Sequence, residues 1–327
     1  MQTNQWTLRM AEPLPVTNIE NLDPQRFVFW QPPEGHVIHV GPERQPVPLP
    51  HIPLPIRSKD LAEASPSDNA VGVGVYDYLR QFPDCQLNSE YAALLCEGYA
   101  HFLADLAAHV VMLDTKEVDP AYVFRKLNYL KILRLLEPGN TGLLWQLAQG
   151  FYGLAMTFTE LPQVRRYLLD AMRFGQDLLK LKADDAAALN LLAEIDILFG
   201  DYPAAAARLR KVADVMTDEQ LQARIESRLE TCIAAGFPNH PLVDDLERVG
   251  EAMQLYAAQE YPLATELLER LEEDAYFMSE FKSVDFLCLL GMCRIKTGDR
   301  GGAFDALSQA LEMAPEHELA REAIQSI

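Results

Sequence analysis

From about Asn69 onward, apolar residues return every three or four positions, the spacing of an amphipathic helix. Asn88 to Asp114 places Leu95, Tyr99, Phe102, Leu106, Val110 and Leu113 on one stripe, which predicts one long helix. Asp119-Pro120 opens a second helix that runs to Leu136 and meets the stop Pro138-Gly139-Asn140. Further helices are expected over Thr141–Thr157, Pro162–Leu181, Asp185–Phe199, Pro203–Met216 and Asp218–Ala235, the last ended by Gly236-Phe237-Pro238. Leu242–Gln259, Pro262–Asp274, Ser279–Thr297 and Gly302–Met313 follow, and a short helix reaches Ile327. Helix succeeds helix through short turns, and each hairpin can bury its apolar face only on the next one. That pattern predicts an all-α fold, an α-α superhelix over residues 71–327.

The first 70 residues read differently. Twelve of the 21 prolines lie between Pro13 and Pro66. Proline fixes φ and removes an amide donor, so Pro46 to Pro55, where prolines alternate with mostly apolar residues, is expected as polyproline-II. Before it, the β-prone runs Arg26–Trp30 and His36–Val40 flank Gln31-Pro32-Pro33-Glu34-Gly35, which predicts a β-hairpin between those two runs. Residues 1–70 are thus expected as a Pro-rich extended arm that leans on the helices or reaches for a partner.

Val284 to His317 carries Leu287, Leu290, Gly291, Gly298-Asp299, Ala303, Leu307, Ala310 and Pro315. These stand where the 34-residue tetratricopeptide (TPR) pattern places its large and small packing residues, its turn and its terminal proline, and the segment resembles that family. Ala186 to Glu219 repeats the pattern with Leu189, Leu192, Ala193, Gly200-Asp201-Tyr202, Ala205 and Leu209, but has Thr217 for the proline. Asp245 to Met278 keeps Ala252, Tyr261, Ala264 and Leu268, while Leu144, Leu147, Ala148 and Phe151 open a longer unit.

The resemblance implies a TPR-like solenoid whose first helices line a concave groove. By that analogy the groove positions are Trp145, Gln149, Tyr152, Asn190, Glu194, Ile197, Val249, Met253, Tyr256, Asp285, Cys288 and Met292. The implied function is a scaffold or adaptor that holds a protein or peptide segment rather than an enzyme. The Lys/Asn clamp that some members use for a C-terminal carboxylate is missing at these positions. The Pro46–Pro55 segment is a second candidate occupant of the groove.

Composition narrows the partner. The formal charge of −20 repels phosphate backbones, which argues against nucleic acid and favours basic or apolar partners. No run approaches 18 apolar residues, so no membrane span is expected. Met1 to Met10 is polar and lacks the layout of a secretory leader, which predicts a cytoplasmic address. The five cysteines include no CxxC; Cys96, Cys288 and Cys293 sit in apolar helical text and are expected to pack as small hydrophobes.

Chemistry-bearing constellations are few, and no cofactor is expected. Glu97, His101, Asp105 and His109 recur every four residues, but each step drifts by about 40° around the helix, so one helix supplies two ligands, His101 and Asp105. A metal-dependent helical protein built on that pair is the alternative function. His36 and His39 fall on opposite faces of a strand. Gly72-Val73-Gly74 lacks the third glycine of a dinucleotide loop, and no GxSxG, HExxH or Gly-Lys-Ser/Thr element occurs. A prenyltransferase α-subunit-like chain would also repeat helical hairpins, but its Trp-Asn-x-Arg signature is absent. Arg165, Arg166 and Arg173 form a basic patch, and Glu269, Glu272, Glu273 and Asp274 an acidic one; contact between such patches on two copies would make a homo-oligomer.

Overall fold

The computed structural model describes residues 24–41, 43–61, 65–114, 119–234 and 237–327. The first 23 residues of the expected arm, and Gly236 of the expected helix stop, lie outside them. Among the described residues the chain forms four short strands followed by fifteen α-helices, and it divides into two compact units. The first holds residues up to Gly150 with Lys180–Lys182; the second holds Phe151–Leu179 and Ala183–Ile327.

In the first unit the strands are β1 (Phe27–Trp30), β2 (Val37–Val40), β3 (Gln45–Pro48) and β4 (Leu54–Arg57). The expected hairpin between the first two runs does not form. β1 pairs antiparallel with β4, Phe27 opposite Arg57, and β2 pairs with β3, Ile38 opposite Val47. A hairpin does exist, but it joins β2 to β3. The proline-rich segment is therefore strand at both ends rather than polyproline-II. In a two-stranded sheet each strand has a free edge, and prolines are tolerated where no ladder donor is required. The alternation then has a use: Val47 is buried between exposed Pro46 and Pro48.

Helix α1 (Asp68–Gln81) carries these strands. Ser67 caps it by accepting the amide of Ala70. Leu54 and Ile56 of β4 are fully buried, each worth about 1.5–3 kcal/mol on removal from water. Gly74 lets the α1 backbone approach Pro55 and Ile56, where a Cβ would collide with main-chain atoms. Gly72 leaves room for the ring of Tyr99, whose hydroxyl donates to the Asp68 carbonyl. The glycines of Gly72-Val73-Gly74 are thus packing devices inside a helix.

Tyr99 also breaks the helix expected over Asn88–Asp114. α2 (Asn88–Gly98) ends there, with Tyr99 at φ −139° and ψ 41°, and α3 (Ala100–Asp114) begins anew. The unit continues with α4 (Pro120–Leu136) and the start of α5 (Thr141–Ala155). Gly150 of α5 faces Leu127 of α4, where a Cβ would lie 2.5 Å from a Leu127 methyl.

The second unit contains the end of α5, a 3-10 turn at Phe158–Gln163, α6 (Val164–Leu181, its last residues apart), α7 (Ala186–Leu198), α8 (Tyr202–Val215), α9 (Glu219–Ile233), α10 (Leu242–Ala257), α11 (Tyr261–Glu273), α12 (Ala275–Glu280), α13 (Val284–Thr297), α14 (Arg300–Met313) and α15 (Glu318–Gln325). Three hairpins, α7–α8, α10–α11 and α13–α14, share one design. Each turns through a left-handed residue: Gly200 at φ 77°, Gln259 at φ 66°, Gly298 at φ 92°. Five positions on stands a fully buried alanine (Ala205, Ala264, Ala303), and nine positions on a fully buried leucine (Leu209, Leu268, Leu307). Seven positions before each turn stands Ala193, Ala252 or Gly291, the small residue against which the partner helix closes. A Cβ on Gly291 would sit 2.6 Å from Leu307 Cγ. The strict 34-residue spacing is lost because α9 and α12 are inserted between hairpins. This is an α-solenoid, as expected from the sequence.

Candidate functional sites

The twelve groove positions divide by burial. Ile197, Val249, Met253, Tyr256 and Cys288 are buried in the core of the second unit. Tyr152, Asn190, Glu194, Asp285 and Met292 are half-buried there. Trp145, half-buried, and Gln149, exposed, belong to the first unit.

Around Tyr152 the chain assembles a polar cluster. Arg228 of α9 reaches Glu194 of α7 at 3.2 Å and Glu280 of α12 at 3.3 Å, and its guanidinium lies 5.3 Å from the centre of the Phe237 ring. Burial, with the nearby Glu194 carboxylate adding to it, pushes the Tyr152 phenol up to about 12. Asn190 stands one turn before Glu194 on the same helix face. Its side-chain carbonyl oxygen is buried and has no hydrogen-bond partner among the described residues. Farther along, Cys288 Sγ lies 3.5 Å from His317 Nδ1, and His317 Nε2 is 3.7 Å from Asp285. Burial, opposed by His317, raises the Asp285 carboxyl above its ordinary value.

Arg165 and Arg173 of the basic patch, and Glu269 and Glu272 of the acidic one, are engaged within the unit. Arg165 makes a two-pronged contact to Glu247, Nε and Nη2 each at 2.7 Å, and a third bond to Asp244 at 2.7 Å. Arg294 of α13 holds Glu269 at 3.1 Å and Glu272 at 2.5 Å on α11. Arg173 pairs with Asp170 at 2.9 Å.

His101 and Asp105, the metal-ligand candidates, are exposed on α3, and the His101 ring lies 4.2 Å from that of Phe102. Among the described residues, ligand-type atoms converge instead at His240, Asp245 and Asp274. There, however, His240 Nε2 contacts Asp245 at 2.7 Å, Arg248 contacts the same carboxylate at 2.5 Å, and Asp274 caps α12 through the amides of Tyr276 and Phe277. A guanidinium on Asp245, the one buried member of the three, is a poor neighbour for a cation. The cluster is better described as an ion-paired corner that anchors α10 and α12.

A feature with no signature in the sequence lies in the first unit. A cavity of about 490 Å³ is lined by Arg26, Arg57, Lys59, Arg80 and Arg125, with Asp77 as the one carboxylate. The cations come from the turn before β1, the end of β4 and the turn after it, α1, and α4. Asp77 orients two of them: it accepts from Arg57 Nε at 2.5 Å and lies 3.7 Å from Arg80 Nη1. Arg80 is fixed further by two bonds to the Tyr129 hydroxyl, at 3.1 and 2.7 Å. Phe27, Ser58, Gln81 and Tyr129 complete the wall. Only Arg57-Ser58-Lys59 is a local cluster of charge; the other cations are separated by tens of residues.

Among the described residues no helix is long and apolar enough to cross a membrane. No family model matches the chain, and no curated protein matches it. Among solved structures, a tetratricopeptide repeat protein from Parabacteroides merdae ATCC 43184 aligns with 14% identity over 77% of this chain and 98% of that one, with a TM-score of 0.25. The assignment of stacked helical hairpins rests on this chain's own turns and buried small residues rather than on that likeness.

Proposed function

We propose that the chain is a non-catalytic interaction scaffold of the tetratricopeptide kind, which holds an extended protein segment along the inner-helix face of residues 151–327. The observation that carries the reading is Asn190. A buried side-chain carbonyl without a donor is costly, roughly 1–3 kcal/mol, and an extended segment supplies backbone N–H groups to such an acceptor. Tyr152, Glu194 and Met292 are half-buried and would line the segment, with Glu194, Glu280 and Asp285 favouring a basic one. Ile197, Met253 and Tyr256 then act from beneath, as the packed floor. Aromatic and Met side chains suit such a surface: aromatic rings give large contact area with few rotors to freeze, and the flexible, polarisable Met thioether adapts to the shape it meets.

The experiment is affinity capture with the full chain and with a variant carrying Tyr152→Ala, Asn190→Ala and Met292→Ala, each protein's fold checked by circular dichroism. Loss of partner by a folded variant is expected. Undiminished recovery would remove this face from the account.

A further inference from the structure

We infer that the cationic cavity of the first unit is a binding site for a small organic phosphate that carries at least two negative charges and a hydroxyl or N–H donor. The protein as a whole carries −20, yet five cations and one carboxylate, Asp77, line this cavity, with a second carboxylate, Asp60, 3.9 Å from Arg57. Clustered cations repel one another; Arg57, Arg80 and Arg125 are half-buried, where water screens that repulsion less than it does at the exposed Arg26 and Lys59. An anion of charge two or more relieves it. Among the described residues, no carboxylate pairs with Arg26, Lys59 or Arg125, so these three charges remain available, whereas Arg57 and Arg80 are positioned by Asp77 and Tyr129. Planar guanidinium forks match phosphate oxygens in pairs, and a lysine adds a mobile point charge; both types are present.

Two further atoms describe the rest of the ligand. The Tyr129 hydroxyl accepts from Arg80, which leaves its own proton to donate toward an oxyanion. Gln81 Oε1 is buried with no hydrogen-bond partner among the described residues. An amide oxygen accepts, so it calls for a donor rather than for a second oxyanion. Inorganic phosphate would satisfy the cations and leave Gln81 unpaired. A sugar phosphate or a nucleotide meets both requirements. The cavity, about 490 Å³, falls in the range of roughly 300–1,000 Å³ typical of small-molecule sites, and Phe27 gives it an apolar wall.

Titration calorimetry on the full chain at fixed ionic strength tests this with ADP, ribose 5-phosphate, pyrophosphate and succinate. Saturable binding of ADP or ribose 5-phosphate is expected, with succinate at least about tenfold weaker. The double variant Lys59→Gln/Arg125→Gln removes two of the three cations that have no carboxylate partner, leaves the Asp77 and Tyr129 contacts in place, and should weaken the phosphate probe by about tenfold or more. Gln81→Leu should weaken ADP but not pyrophosphate. Failure of both organic phosphates to bind at millimolar concentration overturns the inference. So does equal affinity for succinate, or equal affinity of the folded double variant. Capture of a protein by the Tyr152 face is measured separately, so either result stands without the other.

Discussion

Gly250 of α10 lies against the main chain of Leu161: a Cβ there would come 2.8 Å from the Leu161 carbonyl carbon and 2.7 Å from the Pro162 nitrogen. The neighbour is backbone and cannot swing aside as a side chain can. The same helix is held nearby by Arg165, which grips Glu247 and Asp244. Gly250→Ala is therefore expected to destabilise the chain by about 1–3 kcal/mol, despite the better helix propensity of alanine. Urea unfolding measures it; an unchanged midpoint would show that α10 and the 3-10 turn can separate at no cost.

Gln259 occupies the left-handed turn between α10 and α11, where the equivalent turns use Gly200 and Gly298. A side chain at φ 66° carries a steric cost that glycine does not. Gln259→Gly should stabilise by up to about 1 kcal/mol, after allowing for the greater freedom of glycine in the unfolded chain. A lower thermal midpoint for the variant would contradict this.

The Glu160 carboxyl accepts from the Tyr167 hydroxyl at 3.0 Å. Burial raises its pKa above the ordinary 4.5, while the hydrogen bond from Tyr167 opposes the rise. The folded state then holds its proton to higher pH than the unfolded state, so stability falls as pH rises through that window. Above it the buried charge is a standing cost. Glu160→Gln should be more stable than the parent at neutral pH, and the gap should close as pH falls below 4.5. A gap that widens in acid would reverse the sign and exclude burial as the dominant effect.

Cys288 and Cys293 are buried, and burial pushes both thiols up to about 12, with the Asp285 carboxylate adding to the rise at Cys288. The thiolate is the reactive form. Cys96, expected from the sequence to be packed, is exposed on α2. A maleimide followed by peptide mapping should mark Cys96 first and should reach Cys288 and Cys293 only after denaturant is added. Prompt native labelling of Cys293 would mean that the α13–α14 hairpin opens readily.

The hairpins were legible because their signals are local. A left-handed turn, an alanine five positions on and a leucine nine positions on can be read within a single segment, and Ala303, Leu307 and Gly291 stand where that reading places them. The breaks were not. Tyr99 fits the apolar stripe of one long helix, and it leaves helical geometry because its ring fills the space beside Gly72, which belongs to another helix. Ser283 starts α13 by accepting the amide of Phe286, within a stretch whose pattern runs on as helix.

Strand pairing shows the same limit. Phe27–Trp30 has a β-prone neighbour at His36–Val40, and a turn between them suits a hairpin. The partner it takes is Leu54–Arg57, because burying Leu54 and Ile56 under α1 outweighs the shorter loop. The cationic cavity lies farther still from any local reading, since Arg26, Lys59, Arg80 and Arg125 become neighbours only when β4, α1 and α4 are brought together. Sequence by itself determined the helices, the repeat turns and the small residues that let hairpins close, since each depends on spacing along the chain. Tertiary structure decided the strand partners, the helix breaks and the gathering of charge, since those depend on burial and Coulomb interactions between segments far apart in the chain.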